Sequence, residues 1–121
     1  MPRILVIEDE KNLRRLYKQD LERDGFEVVT AATAPEGLAM VESKAPDLIV
    51  MDIRLPGMDG LEAMSRLLDK HPTIPVVLNS AYSSYKDSFM SWSADAYVVK
   101  SADTDELRAR VKELLAEPAE S

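Results

Sequence analysis

The sequence predicts an α/β fold, a doubly wound parallel sheet with helices on both faces. Two observations carry that expectation. Short apolar runs alternate along the chain with longer amphipathic stretches. The runs are continuously apolar and rich in Val and Ile, which marks strands buried on both faces rather than one. Strands that alternate with helices need crossover connections, and the right-handed rule for these leaves few topologies.

The first run, Ile4–Ile7, leads into a helix expected over roughly Lys11–Arg23. Leu13, Leu16, Tyr17 and Leu21 fall on one stripe at helical spacing, and Gly25 is the stop. A weaker run follows at Phe26–Thr30. The second helix starts at Thr33, where Thr33 and Glu36 have capping-box spacing, and Leu38, Met40 and Val41 face the core. Pro46 comes soon after its end. The third strand is Leu48–Met51. The third helix starts at Asp59 with Glu62 three residues on, turns Leu61, Met64, Leu67 and Leu68 inward, and ends at His71-Pro72. Val76–Leu78 is the fourth strand. The fourth helix, about Ser83–Trp92, is serine-rich and weakly periodic. After the run Ala96–Val99, a fifth helix starts near Asp103 with Glu106 at the capping position. Its stripe is Leu107, Val111, Leu114 and Leu115, and Pro118 ends it.

The 121 residues amount to one domain, with an ordered core expected over about 3–116 and a tail at 117–121. A net charge of −7 and a pI near 4.7 repel nucleic acid phosphates, so direct DNA or RNA binding is not expected. The absence of cysteine excludes disulfides and thiolate metal sites. The apolar run behind Met1-Pro2-Arg3 is too short for a signal peptide or a membrane span, so no membrane partner is expected and the default compartment is the cytoplasm.

In open α/β sheets, ligands bind outside the carboxyl ends of the strands. The residues that follow the apolar runs are therefore the informative ones. They are Glu8, Asp9 and Glu10 after the first run, Asp52 after the third, Asn79 and Ser80 after the fourth, and Lys100 after the fifth. Acids, a hydroxyl and a lysine thus converge on one sheet edge. Oxygen ligands suit a hard cation such as Mg²⁺, and Glu8, Asp9 and Asp52 supply them. A carboxylate is also a nucleophile able to form an aspartyl phosphate, and Lys100 and Ser80 suit phosphate oxygens. Phosphoryl transfer needs mostly positioning and charge stabilisation, which this set provides. Singly, each residue has an ordinary alternative. Asp9 is as readily the cap of the first helix, Ser80 a cap, and Lys100 a solvated lysine. Their joint placement is what makes the ordinary alternatives weak.

These residues resemble the receiver domains of bacterial response regulators, and the resemblance covers almost the whole chain. Its strongest segment is Val50-Met51-Asp52-Ile53-Arg54-Leu55-Pro56-Gly57-Met58-Asp59-Gly60, similar to the family's phosphoacceptor strand and its following loop. Glu8-Asp9 is similar to the acidic pair after the first strand, Ser80-Ala81 to the hydroxyl residue followed by a small one, and Tyr97 to the switch aromatic. The resemblance implies a flavodoxin-like sheet of order 2-1-3-4-5, as in single-domain chemotaxis-type regulators. It also implies phosphorylation of Asp52 by a sensor histidine kinase or histidine phosphotransfer protein. Asp9, Asp52 and the backbone carbonyl of Arg54 would hold Mg²⁺, with Glu8 acting indirectly. Ser80 would move toward the phosphoryl group and Tyr97 would turn inward. The face made by the fourth helix, fifth strand and fifth helix would then present a changed surface to a downstream protein target or output domain. Such a protein is a signalling phosphoacceptor, not an enzyme on a separate substrate, and catalyses only its own phosphorylation and dephosphorylation.

The sequence departs from the family where Ser101, not proline, follows Lys100. That departure keeps a second reading open, a pseudo-receiver that acts as a phosphorylation-independent interaction module. Tyr82, two residues after Ser80, is expected to restrict water access and slow dephosphorylation. An aspartyl phosphatase would carry a second Asp where Arg54 stands, and an FMN carrier would not place Glu8-Asp9-Glu10 against a phosphate.

Overall fold

The computed structural model describes residues 1–53, 60–81, 94–100 and 103–116. The expected fourth helix at Ser83–Trp92, the start of the third at Asp59, the tail 117–121, and Arg54, Tyr82 and Ser101 all lie outside the described residues.

The described elements are β1 (Arg3–Ile7), α1 (Lys11–Arg23), β2 (Glu27–Ala31), α2 (Ala34–Ser43), β3 (Leu48–Met51), α3 (Gly60–Lys70), β4 (Val76–Ser80), β5 (Ala96–Val99) and α4 (Asp105–Leu115). The helix α4 is the one expected as the fifth. All neighbouring strands pair in parallel, and the sheet order is β2-β1-β3-β4-β5.

Two apolar layers sandwich the sheet. On one face Ile4, Val6, Leu48, Val50, Val77 and Val98 pack against Tyr17 and Leu21 of α1 and Leu107 and Val111 of α4. On the other, Leu5, Ile7, Ile49, Met51, Val76 and Leu78 pack against Val41 of α2 and Ala63, Met64 and Leu67 of α3. Every strand residue of β3 and β4 is buried, which is why these runs carry no polar alternation.

Several local expectations shift. The strand β4 runs on to Ser80, because Asn79 and Ser80 pair with Val98 and Val99 and the Lys100 N–H donates to the Ser80 carbonyl at 2.7 Å. Asn79 and Ser80 are therefore strand residues, not residues after a strand. Helix α1 is capped by Glu10, whose carboxylate accepts from the N–H groups of Asn12 (2.9 Å) and Leu13 (3.2 Å), so Asp9 is not the cap. At α2, Thr33 Oγ1 accepts from the Glu36 N–H at 3.2 Å as the capping box requires. The Glu36 carboxylate reaches back to the N–H of Ala32 rather than Thr33, at 2.9 Å.

Helix α4 begins at Asp105, two residues beyond Asp103, with Thr104 as its N-cap, and the Asp103 carboxylate accepts from the Asp105 N–H at 3.1 Å. Thr104 makes no side-chain cap bond. Its hydroxyl instead donates to the buried Asp20 carboxylate of α1 at 2.6 Å. Beside it, Arg108 donates two bonds to Asp24, at 2.8 and 2.7 Å, and together these ties fix α4 against α1. The Arg108 guanidinium holds the Asp24 carboxyl below the usual carboxylate range. Thr104→Val removes the donor and leaves a buried carboxylate oxygen unsatisfied. The expected loss is about 1–3 kcal/mol of folding stability, read from urea unfolding. An unchanged midpoint would show that the bond contributes nothing net.

Candidate functional site

The last row paired through all five strands is Ala31, Ile7, Met51, Leu78 and Tyr97 on β2, β1, β3, β4 and β5. One residue further on stand Glu8, Asp52, Asn79 and Val98, so the polar residues emerge where the apolar strands stop. Side chains alternate between faces along each strand. Glu8 follows Ile4 and Val6, Asp52 follows Leu48 and Val50, and Lys100 follows Ala96 and Val98, all on the α1/α4 face. Ser80 follows Val76 and Leu78 on the other face, where Tyr97 also packs, half-buried.

Lys100 ties the site together. Its ammonium donates to Asp52 Oδ2 at 2.8 Å and lies 2.9 Å from Glu8 Oε1. The other Glu8 oxygen accepts from the Glu10 N–H at 3.1 Å. Arg14 donates to the Glu8 carbonyl at 2.9 Å and the Asp9 carbonyl at 3.3 Å, fixing the backbone of the acidic turn. The Asp52 N–H donates to the Ile7 carbonyl at 3.2 Å, which holds β3 beside β1 at this edge. Glu8, Asp52 and Ser80 are buried, and Asp9 is exposed at the mouth.

Burial pushes the Glu8 carboxyl upward, and the hydrogen bond and charge of Lys100 offset part of that. For Lys100, burial works to lower the pKa, but the hydrogen bonds and charges of Asp52 and Glu8 outweigh it and hold the ammonium above the ordinary lysine range. Lys100 is therefore a cation at every physiological pH.

Oxygen atoms of Glu8, Asp9 and Asp52 lie within 4.8 Å of one another. One ammonium against three carboxylates leaves excess negative charge that a divalent cation would neutralise. The donor set is all oxygen, with exposed Asp9 leaving room for water and phosphate, which fits Mg²⁺.

The structure thus gathers Glu8, Asp9, Asp52, Ser80 and Lys100 at one sheet edge, with Tyr97 on the Ser80 face. Arg54, expected to add a backbone carbonyl, lies outside the described residues. The resemblance gave Glu8 an indirect part in the metal site, and the structure adds that Glu8 shares the Lys100 ammonium with Asp52. Sequence reasoning left Tyr17 as one member of an apolar stripe, although Tyr17 is buried near enough to feel the charges of Lys100, Glu8 and Asp52. The sequence signal for it was a tyrosine in an otherwise leucine stripe. Among the described residues, no helix is long and apolar enough to cross a membrane.

Residues 4–112 match the family model described as the response regulator receiver domain. The chain is 36 % identical over 115 residues to the alkaline phosphatase synthesis transcriptional regulatory protein PhoP of Bacillus subtilis, covering 93 % of this chain and 48 % of that protein. It is 37 % identical over 119 residues to the phosphate regulon transcriptional regulatory protein PhoB of Rhizobium meliloti, covering 95 % and 52 %. The chain therefore spans about half the length of these curated relatives. Among solved structures, the response regulator protein TrrA of Thermotoga maritima, in complex with Mg²⁺-BeF, superimposes with a TM-score of 0.91 at 43 % identity, over 95 % of this chain and all (100 %) of that one. TrrA bound to the histidine kinase ThkA superimposes with a TM-score of 0.89 at 43 % identity, over 96 % and 100 %.

Proposed function

The chain belongs to the response regulator receiver domain family of two-component systems, and from that premise we propose that Asp52 accepts a phosphoryl group from a phosphohistidine in a Mg²⁺-dependent reaction. The observation that carries this reading is Lys100 held between the Glu8 and Asp52 carboxylates, with Asp9 beside them.

An Asp52 carboxylate oxygen attacks phosphorus, the O–P bond forms, and the P–N bond of the donor breaks with its electron pair leaving on imidazole. Lys100 exchanges its hold on Asp52 for a phosphoryl oxygen, and the Ser80 hydroxyl donates to another. Asp9 and Asp52, with the Arg54 carbonyl and with Glu8 nearby, would hold Mg²⁺. When bound, the ion neutralises charge on the phosphoryl oxygens. Movement of Ser80 draws Tyr97 inward. The face that includes β5 and α4 then changes, a two-state element biased by a local charge event.

The donor is a sensor histidine kinase or histidine phosphotransfer protein, consistent with the kinase complex of the similar TrrA. The reader of the switched face is a downstream protein or an output domain, as the relatives' description as transcriptional regulators suggests. The setting is the cytoplasm.

Incubation with acetyl phosphate, with and without Mg²⁺, followed by intact mass measurement, tests this. A gain of one phosphoryl group that chelation abolishes is expected. No gain, under conditions that label a known receiver, would support the pseudo-receiver reading instead.

A further inference from the structure

Asn79 is the polar strand residue that the mechanism above leaves without a part. The β3–β4 register pairs Met51 with Leu78, so Asp52 and Asn79 are the next neighbours on adjacent strands, roughly 4.8 Å apart across the sheet. Both stand two residues beyond Val50 and Val77 of the α1/α4 layer, so their side chains share that face. Asn79 is 3 % exposed, and its buried side-chain Nδ2 has no hydrogen-bond partner among the described residues. Its polar neighbour is the buried Tyr17. Burial pushes the Tyr17 hydroxyl upward, and the Asn79 amide and the Lys100 charge offset part of that. The closeness of Tyr17 does not satisfy Nδ2.

A buried amide without an acceptor is a cost to the resting fold. If it gains its acceptor only when the site is loaded, that cost becomes selective stabilisation of the loaded state. Resting on the phosphoacceptor reading, we propose that Asn79 is a positioning residue acting through Asp52. When Lys100 turns to the incoming phosphoryl group, the Asn79 amide takes over as donor to the Asp52 carboxyl and holds it in line. With acetyl phosphate, the Asp52 O–P bond forms and the P–O bond to the acetyl group breaks, acetate leaving with the electron pair.

The test compares Asn79→Leu, Asn79→Val and Asn79→Thr with wild type in two readouts: the rate of acetyl phosphate labelling at saturating Mg²⁺, and the urea midpoint. Asn79→Leu is expected to unfold at or above the wild-type midpoint, because the orphan donor is gone, yet to be labelled about tenfold more slowly. Asn79→Thr, which keeps a donor, should recover part of the rate. Labelling of Asn79→Leu at the wild-type rate would overturn the proposal. So would rates in the Leu and Val variants that merely track their stabilities. Absence of labelling in wild type itself would overturn the phosphoacceptor reading and this inference together, an outcome distinct from normal wild-type labelling with an unaffected Leu variant.

Discussion

Lys100→Met is expected to slow phosphorylation of Asp52 by acetyl phosphate roughly 100-fold or more, the effect of removing one preorganised charge-stabilising donor. Methionine keeps the length of the side chain but brings no charge to the phosphoryl oxygens. The same change disturbs the resting fold. Lys100 is the ammonium between Glu8 and Asp52, and without it two buried carboxylates face each other. Breaking a fully buried pair costs about 3–5 kcal/mol. Here about 2–3 kcal/mol is expected, because the site opens to solvent at Asp9.

The pH dependence has a definite sign. Burial already raises the Glu8 carboxyl and Lys100 opposes that rise, so in the variant Glu8 climbs further. An acid whose folded pKa lies above its unfolded value near 4.3 binds more protons when folded, so stability falls as pH rises from about 4.3 through the folded value. The deficit of Lys100→Met, measured by urea unfolding without Mg²⁺, should be smaller at pH 5 than at pH 7.5. Equal deficits would mean that Glu8 is not the group left unpaired.

Gly37→Val is expected to cost about 3 kcal/mol of stability. Gly37 lies in α2 and faces β1 one residue before the acidic turn. A Cβ there would sit 2.4 Å from Ile7 Cδ1 and 2.7 Å from Ile7 Cγ1. Ile7 is 1 % exposed and packed on all sides, so it has nowhere to swing. Overpacking of this kind costs about 1–3 kcal/mol and sometimes more, which exceeds the few tenths gained in helix propensity. Ile7→Ala removes both clashing atoms. The double variant should therefore lose about 1 kcal/mol or more less than the sum of the single losses, as read from thermal or urea unfolding. Strict additivity would mean that the two residues do not compete for the same space.

The sheet was legible in the sequence because burial on both faces leaves continuous apolar runs, as at Leu48–Met51 and Val76–Leu78. Helix α1 was equally plain, since its stripe and the stop at Gly25, with φ of 98°, are local signals. What was hidden depends on distant partners. The Thr104 hydroxyl abandons capping for Asp20, 84 residues away in sequence. The strand β4 lengthens to Ser80 because β5 supplies a partner for it. At the site, residue types at strand ends pointed to the acids, the hydroxyl and the lysine. The sharing of one ammonium between Glu8 and Asp52, and the buried neighbours Asn79 and Tyr17, follow from register and face, which no single run of sequence contains.

The location of the phosphoryl group tests the central claim most directly. Protein labelled with acetyl phosphate and Mg²⁺ would be reduced with borohydride, which converts an aspartyl phosphate to homoserine, then digested and mapped by mass spectrometry. Homoserine at position 52, and at no other acidic position, is the expected result. Reduction at Glu8 or Asp9, or a borohydride-resistant phosphate on Ser80, would contradict the assignment of Asp52 as the acceptor.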